Sequence, residues 1–221
     1  MTQAPPRPTT RTRPRYIAVE GPIGAGKSSL AEILAAETGA RLVQENPGEN
    51  PFLASFYKDP RRFALSTQLF FLLARYGQQS ELLQGGLFEQ GGIVSDYLFA
   101  KDRLFATLTL SVEEMALYDR VYQALRPRVA SPDLVVYLQA RTDVLLNRID
   151  KRGRPEEKLV RPEYLRDVAH AYADFFFNYS DGPLLIVDAS EIDFVDNSDD
   201  RAALLDVIAK PHVGINHWSR R

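Results

Sequence analysis

The chain has 221 residues, a length that suits a single α/β domain with its own apolar core. Its formal net charge of −2 argues against a general nucleic-acid-binding protein, which would carry an excess of basic residues. It contains no cysteine, which excludes disulfides and thiolate metal sites and suits a cytoplasmic protein. No apolar run approaches the roughly 20 residues that a membrane-spanning helix needs.

The two ends of the chain differ in composition from its middle. Residues 1–15 carry four prolines and four arginines and almost no large apolar residue, so we predict a disordered, basic, proline-rich tail. Strand and helix signals alternate from Tyr16 onward. We therefore predict one domain over residues 16–210, followed by a C-terminal tail over residues 211–221.

The alternation of strands and helices predicts the fold class. Short apolar runs predict buried strands at residues 16–19, 41–45, 93–95, 134–138 and 184–187. Helical spacing predicts helices at residues 27–37, 51–83 with a break near Asp59-Pro60, 99–108, 112–125, 142–148, 162–179 and 201–208. This order indicates a five-stranded parallel sheet with helices on both faces, and ligands in such a fold bind beyond the carboxyl ends of the strands.

The segment between the first predicted strand and the first predicted helix fits the pattern G-x-x-x-x-G-K-[ST] at every fixed position. Its glycines let backbone N–H groups turn toward phosphate oxygens, and the start of the following helix favours negative charge. In such a loop the lysine bridges the terminal phosphates and the serine hydroxyl ligates Mg²⁺. We therefore predict an ATP and Mg²⁺ site at residues Gly21, Gly24, Ala25, Gly26, Lys27, Ser28 and Ser29.

Two further features suit transfer of a phosphoryl group to a hydroxyl. Glu45, at the carboxyl end of the second predicted strand, is placed to reach across the phosphate loop as a general base. Arg148, Arg152 and Arg154 form a basic cluster around Gly153. We predict that this cluster is a mobile lid whose guanidinium groups close over the transferring phosphoryl group.

From Tyr16 to about Ala209 the chain resembles the deoxyribonucleoside kinase family, which includes deoxycytidine, deoxyguanosine and bacterial deoxyadenosine kinases. The resemblance rests on residues 20–28, on Asn50-Pro51-Phe52-Leu53, and on residues 148–157. It implies a P-loop kinase fold and ATP-dependent phosphorylation of the 5′-hydroxyl of a deoxyribonucleoside, for nucleotide salvage. It also suggests a homodimer, for which the apolar helical residues 63–73 and 115–125 offer a surface, although burial in the monomer explains them equally well.

The resemblance implies roles for individual residues. Glu45 corresponds to the general base, Tyr57 and Glu157 to the pair that holds the sugar 3′-hydroxyl, and Asp96 to a carboxylate near Mg²⁺. The residues that correspond to the base-reading group are Gln68, Arg75 and Asp102, and those beside the ATP adenine are Asp193 and Phe194.

One position departs from the family pattern. Many members have arginine directly after the acid that ends the third strand, and here that residue is Tyr97. Lys101 follows four residues later, so on a helix it would lie near the same face. We predict that Lys101 supplies the missing positive charge, as in a bacterial branch with the pattern Asp-Tyr-x-x-x-Lys.

The preferred base is the least determined feature. The amide of Gln68 offers one acceptor and donor hydrogens, which match the amino group and ring nitrogen of adenine or cytosine, whereas the two adjacent donors of guanine favour a carboxylate. The Tyr97 and Lys101 pattern is similar to that of deoxyguanosine kinases. We favour deoxyadenosine, then deoxycytidine or deoxyguanosine.

Two other classes of P-loop protein share part of this pattern. A nucleoside monophosphate kinase such as thymidylate kinase shares the phosphate loop and a basic lid, but its acceptor is already an anion and needs no general base such as Glu45. A P-loop switch protein needs a water-activating residue and a partner surface, and the sequence shows neither.

Overall fold

A computed structural model of the chain describes residues 14–84, 92–126, 129–154, 157 and 159–220, with the side chains of 82–84 excepted. The strands are β1 Tyr16–Glu20, β2 Arg41–Val43, β3 Ile93–Ser95, β4 Leu134–Gln139, β5 Leu184–Asp188 and β6 Ile215–Trp218. The helices are α1 Lys27–Thr38, α2 Leu53–Lys58, α3 Pro60–Gln84, α4 Lys101–Thr109, α5 Val112–Leu125, α6 Thr142–Arg152, α7 Pro162–Phe177 and α8 Ser198–Ile208. Residues 1–13 of the predicted tail lie outside the described residues.

The described strands form one sheet in the order β2-β3-β1-β4-β5-β6, and each neighbouring pair is parallel. This confirms the predicted parallel α/β fold, with one strand more than predicted. Strand β6 lies within residues 211–221, which the sequence pattern assigned to a tail. Its Ile-Asn-His-Trp sequence alternates partly buried and exposed residues at the edge of the sheet, so it lacks the continuous apolar run that marks the central strands.

Alternate residues of the central strands pack on opposite faces of the sheet. Ile17 and Val19 of β1 belong to the apolar core beneath α1, α6 and α8. Tyr16 and Ala18 belong to a second core beneath α4 and α7. Because both faces are covered, β1 is buried along its whole length, and its carboxyl end is held rigidly where the phosphate loop begins.

Glycines set the ends of the two helices that flank the predicted site. Helix α1 begins after Gly26, at φ +99°, and helix α6 ends at Gly153, at φ +68°, both in the left-handed region that glycine adopts without strain. Helix α6 continues to Arg152, beyond the end near Arg148 that the sequence pattern predicted. Part of the predicted basic lid therefore has helical structure.

Apolar side chains of α3 and α5 pack together within the monomer. Leu72, Tyr118 and Tyr122 are buried, and residues of both helices pack around them. Leu73 and Leu117 remain exposed. None of the helices in the described part of the chain is both long enough and apolar enough to cross a lipid bilayer.

Candidate active site

The phosphate loop lies between β1 and α1, as its sequence predicts. A side chain at Gly21 would put its Cβ 2.5 Å from the carbonyl oxygen of Leu138, and one at Gly26 would put its Cβ 2.8 Å from the ring of Phe194. The loop therefore needs glycine both for its backbone conformation and for the close approach of its neighbours. Lys27 donates a hydrogen bond to the carbonyl of Pro22 at 3.2 Å, and burial, with Lys101 acting in the same direction, lowers the pKa of Lys27 to about 8.

Asp96 links the phosphate loop to the second strand. Its Oδ2 accepts a hydrogen bond from the hydroxyl of Ser28 at 2.7 Å, and its Oδ1 accepts one from the backbone N–H of Glu45 at 2.8 Å. A serine hydroxyl beside a carboxylate is a set of oxygen donors that suits Mg²⁺, which usually takes few protein ligands and completes its shell with phosphate oxygens and water. Among the described residues there is no cluster of three or more His, Cys, Asp or Glu side chains arranged to hold a metal ion.

Glu45 lies in a network of buried charges. One carboxylate oxygen contacts the guanidinium group of Arg75, and the other lies 3.1 Å from the ammonium group of Lys101. Burial by itself raises the pKa of Glu45, but Arg75 and Lys101 outweigh this effect and lower the pKa to about 2. Glu45 is therefore ionised at neutral pH, as a general base must be before it accepts a proton.

Lys101 is buried, with 2% of its surface exposed, at the start of α4. Besides Glu45 it lies 3.8 Å from Glu20, and its Nζ is 6.0 Å from the centre of the ring of Tyr97. The position four residues after Tyr97 thus places a positive charge beside Glu45. Its burial differs from that of an ordinary surface lysine, and Tyr97 precedes α4 and does not share its helical face. That Lys101 replaces the family arginine stays a prediction.

The predicted base-reading residues lie on α3 and α4. Arg75 contacts both Asp102 and Glu45, so one guanidinium group joins the acid predicted to read the base to the predicted general base. Gln68 donates a hydrogen bond to the hydroxyl of Thr109 at 3.2 Å. Within the described ranges, Asp102 Oδ2 and Arg75 Nε are buried without a hydrogen-bond partner, and buried polar atoms in that state are ones that a ligand would satisfy.

A cleft of about 730 Å³ opens beside the phosphate loop. Its walls come from the loop, from helix α6 and from the segment that follows β5; they include Gly24, Ala25, Gly26, Ser29, Arg148, Arg152, Ile192, Asp193, Phe194 and Asp200. The volume and position suit the nucleoside end of a bound nucleotide. Asp193 and Phe194 both line this cleft, and the side chain of Phe194 is buried against Gly26. That they border the adenine of ATP stays a prediction.

The three arginines of the predicted lid have different surroundings. Arg148 is half-buried and donates hydrogen bonds to the carbonyls of Ala189 and Ile192, at 2.8 and 3.1 Å. Arg152 pairs with Glu157 through two contacts of 2.5 and 3.0 Å, and Arg154 lies 3.9 Å from the same carboxylate. Arg148 thus supports the segment after β5, while the other two are held by Glu157.

Tyr57 packs among aromatic rings, with its ring centre 5.5 Å from that of Phe56 and 6.4 Å from that of Tyr164. Glu157 contacts Arg152, as described above. That Tyr57 and Glu157 together hold a sugar hydroxyl stays a prediction.

Comparison with known proteins agrees with this geometry. The family model described as deoxynucleoside kinase matches residues 17–213, which is most of the chain. The chain belongs to the deoxynucleoside kinase family.

Relatives of this chain include kinases named for deoxyguanosine, for deoxyadenosine and deoxycytidine, and for thymidine. The deoxyguanosine kinase of Bacillus subtilis (strain 168) is 33% identical over 189 residues and covers 84% of this chain and 91% of its own. The deoxyadenosine/deoxycytidine kinase of the same organism is 28% identical over 201 residues, with coverage of 87% and 91%. The solved structure of deoxyadenosine kinase from M. mycoides with bound dATP aligns with a TM-score of 0.76 at 28% identity, over 89% of this chain and 100% of that one. The chain is thus an enzyme of this kind, with relatives that act on deoxyguanosine and on deoxyadenosine.

Sequence reasoning missed a buried carboxylate of the kinase. Glu20 is fully buried at the end of β1 and accepts hydrogen bonds from the hydroxyl of Tyr172 and the backbone N–H groups of Gly21 and Leu98, at 2.8, 2.9 and 2.7 Å. A signal for it was present, because a charged residue directly after an apolar strand and before a phosphate loop is buried only if it is paired. Glu20 anchors the start of the loop and shares Lys101 with Glu45.

Proposed function

We propose that this kinase transfers the γ-phosphoryl group of ATP to the 5′-hydroxyl of a deoxyribonucleoside, with deoxyadenosine preferred over deoxycytidine and deoxyguanosine. The observation that carries the proposal is the ionised Glu45, joined through Asp96 to Ser28 of the phosphate loop and through Arg75 to the base-reading Asp102. This arrangement connects the donor site, the general base and the acceptor site.

On the donor side, the phosphate loop binds the triphosphate and Lys27 lies against the terminal phosphates. Phosphate charge stabilises the ammonium form of Lys27, which burial disfavours in the free enzyme. Ser28 and Asp96 would hold Mg²⁺, which when bound neutralises charge on the phosphate oxygens. The cleft between α6 and the segment after β5 takes the adenosine part of ATP.

On the acceptor side, Glu45 accepts the proton of the 5′-hydroxyl as the phosphoryl group transfers in line. Lys101 supplies a positive charge next to the reacting oxygen, in place of the arginine that many family members carry at the position of Tyr97. Because Lys101 contacts Glu45 directly, it also fixes the direction in which the carboxylate points. Tyr57 and Glu157 hold the 3′-hydroxyl of the sugar.

The lid arginines stabilise the transferring group. Arg152 and Arg154 lie at and beyond the end of α6 around Gly153, so a change in this short segment moves both guanidinium groups together. Their contacts with Glu157 hold them in the present arrangement. If Glu157 takes the sugar hydroxyl, substrate binding exchanges its partner and releases Arg152 toward the phosphates.

The preference for deoxyadenosine rests on the direction of one hydrogen bond. The hydroxyl of Thr109 donates to the carbonyl of Phe105 at 2.8 Å, so toward Gln68 its oxygen acts as an acceptor and takes the amide N–H. The acceptor oxygen of Gln68 then remains for the exocyclic amino group of adenine or cytosine, and its second amide hydrogen for their neighbouring ring nitrogen, where guanine carries a hydrogen instead. Deoxyguanosine is the second candidate, because the deoxyguanosine kinases of Bacillus subtilis and Lactobacillus acidophilus are 33% and 31% identical to this chain.

We also propose a homodimer. Exposed apolar side chains at Leu73 of α3, Leu117 of α5 and Phe177 of α7 support it, since they remain in contact with water in the monomer. Sedimentation analysis of the wild type and of Leu73→Ser tests it. A wild type that sediments as a monomer at micromolar concentration would contradict the dimer.

The function is tested by measuring phosphoryl transfer from ATP with Mg²⁺ to deoxyadenosine, deoxyguanosine, deoxycytidine and thymidine separately, with thymidine monophosphate as a further acceptor. A kcat/KM that is highest for deoxyadenosine supports the whole proposal. A kcat/KM that is highest for deoxyguanosine supports the kinase activity but refutes the argument from Gln68. Transfer to the monophosphate alone would indicate the rival monophosphate kinase.

A further inference from the structure

Strand β6 lies beyond residues 17–213, the part of the chain that the family model matches. It pairs in parallel with β5, with Leu184 opposite Ile215 and Val187 opposite Trp218. Trp218 packs against the apolar core beneath α1, α6 and α8. The strand therefore has a defined register and a defined direction.

Because β6 runs parallel to β5, the residues that follow β6 lie at a defined edge of the sheet. In a parallel pair the carboxyl ends meet at the same edge of the sheet, so the residue that follows β6 emerges beside the segment that follows β5. That segment, residues 189–197, forms one wall of the cleft next to the phosphate loop. Arg220 extends from the end of β6 and contacts the carboxylate of Asp200 in α8.

Asp200 connects Arg220 to the wall of the cleft. Its other carboxylate oxygen accepts a hydrogen bond from the backbone N–H of Asp193 at 2.7 Å, and only 6% of its surface is exposed. The side chain of Asp193 in turn accepts hydrogen bonds from the backbone N–H groups of Val195 and Asp196, at 3.2 and 2.9 Å. The conformation of this wall thus depends on the position of Asp200.

The same wall contacts the phosphate loop. Phe194 lies against Gly26, and a Cβ at Gly26 would be 2.8 Å from its ring. Arg201 donates a hydrogen bond to the carbonyl of Phe194 at 2.9 Å. A continuous chain of contacts therefore runs from Arg220 through Asp200 and residues 193–194 to the loop that binds phosphates.

We propose that Arg220 is a positioning residue for the donor nucleotide, which acts through Asp200 on the cleft wall at Asp193 and Phe194. The ligand it serves is the nucleoside end of a nucleoside triphosphate, and this identity rests on the donor site of the proposed function. The residue touches neither the phosphates nor the acceptor. Its loss therefore weakens donor binding and leaves acceptor binding and the transfer step unchanged.

The test compares Arg220→Ala with Arg220→Lys, Asp200→Asn and the double variant Arg220→Ala/Asp200→Asn. Two readouts are used: the dissociation constant of ATP measured directly by calorimetry, and steady-state KM for ATP and for the nucleoside. The amide in Asp200→Asn still offers an acceptor to Asp193 but loses the charge that pairs with Arg220. Arg166→Ala, which removes an exposed pair with Glu163 on α7, is the matched control.

We expect Arg220→Ala to raise the dissociation constant and KM for ATP by roughly two- to fivefold, the range of a partly exposed ion pair. Arg220→Lys recovers most of this loss, and the double variant is no worse than either single variant, because both act through one contact. The KM for the nucleoside does not change.

A purely structural clamp would give a different pattern. If Arg220→Ala lowers the melting temperature while the dissociation constant of ATP stays at the wild-type value, the proposal is wrong. If the wild type binds ATP but phosphorylates no nucleoside, the proposed function is wrong. The calorimetric dissociation constants of ATP for the wild type and the variants still test the role of Arg220.

Discussion

The ammonium group of Lys101 lies 3.1 Å from the carboxylate of Glu45, although the two residues are 56 positions apart in sequence and belong to different elements. Glu45 follows β2, and Lys101 opens α4. The contact places a buried cation beside the predicted general base, where developing negative charge on the phosphoryl oxygens would be stabilised.

Replacing Lys101 by methionine, which keeps the volume of the side chain, should lower kcat on the order of tenfold or more, since a positioned cation near the reacting oxygen is lost. The free energy of unfolding should also fall by about 3 kcal/mol, because the carboxylates of Glu20 and Glu45 remain buried without the positive charge of Lys101 beside them. Steady-state kinetics and chemical denaturation measure the two effects. Lys210→Ala, which removes an exposed pair with Asp206, is the control. Unchanged turnover in Lys101→Met would show that Lys101 does not replace the family arginine.

Glu45→Gln removes the proton acceptor but keeps the shape of the side chain. We expect kcat to fall by roughly 10²- to 10⁴-fold, the range of general base catalysis, while ATP still binds through the phosphate loop. Single-turnover kinetics and direct ATP binding separate the two effects. A variant that retains a tenth or more of wild-type turnover would exclude Glu45 as the general base.

Thr109→Val removes the acceptor that orients the amide of Gln68 without a large change in volume. The ratio of kcat/KM for deoxyadenosine to that for deoxyguanosine should fall about fivefold, the value of one hydrogen bond near 1 kcal/mol. Thr109→Ser keeps the hydroxyl and should keep the wild-type ratio. If valine and serine give the same ratio, Thr109 does not control the orientation of Gln68.

Lys27 should take up a proton when ATP binds. Burial and the nearby charge of Lys101 hold its pKa at about 8 in the free enzyme, below the usual value for lysine. Phosphate charge favours the ammonium form and raises the pKa, so between about pH 8 and 9 binding transfers a fraction of a proton from the buffer to the protein. Calorimetric titrations in buffers of different ionisation enthalpy measure this fraction.

The sign of this effect distinguishes it from other titrations. Proton uptake should shrink as the pH falls toward 6, where Lys27 is already charged in the free enzyme. Lys27→Arg, which stays charged throughout, should show no uptake at pH 8.5. Proton release on binding, or equal uptake in the arginine variant, would contradict the prediction.

Local patterns predicted the phosphate loop, the central strands and most of the helices. The loop is eight consecutive residues between a buried strand and a helix, and the required residue types follow from phosphate binding alone. Strands β1, β3, β4 and β5 are apolar runs buried on both faces, and such runs are visible without knowledge of their partners.

Contacts between distant segments had to come from the tertiary structure. The edge strand β6 carries a weak pattern, and its partner β5 is what makes it a strand. Resemblance to a family suggested the roles of Arg75, Lys101 and Asp102, and the role of Glu45 followed also from its place at the end of the second predicted strand. That one guanidinium group contacts both carboxylates, and that Lys101 is buried beside Glu45, depends on how α3 and α4 pack over the ends of β1 and β2. The sequence by itself therefore determined the chemistry of phosphate binding, because that chemistry is local. Only the fold decided which charges share a buried site, because burial and pairing are properties of the packed chain.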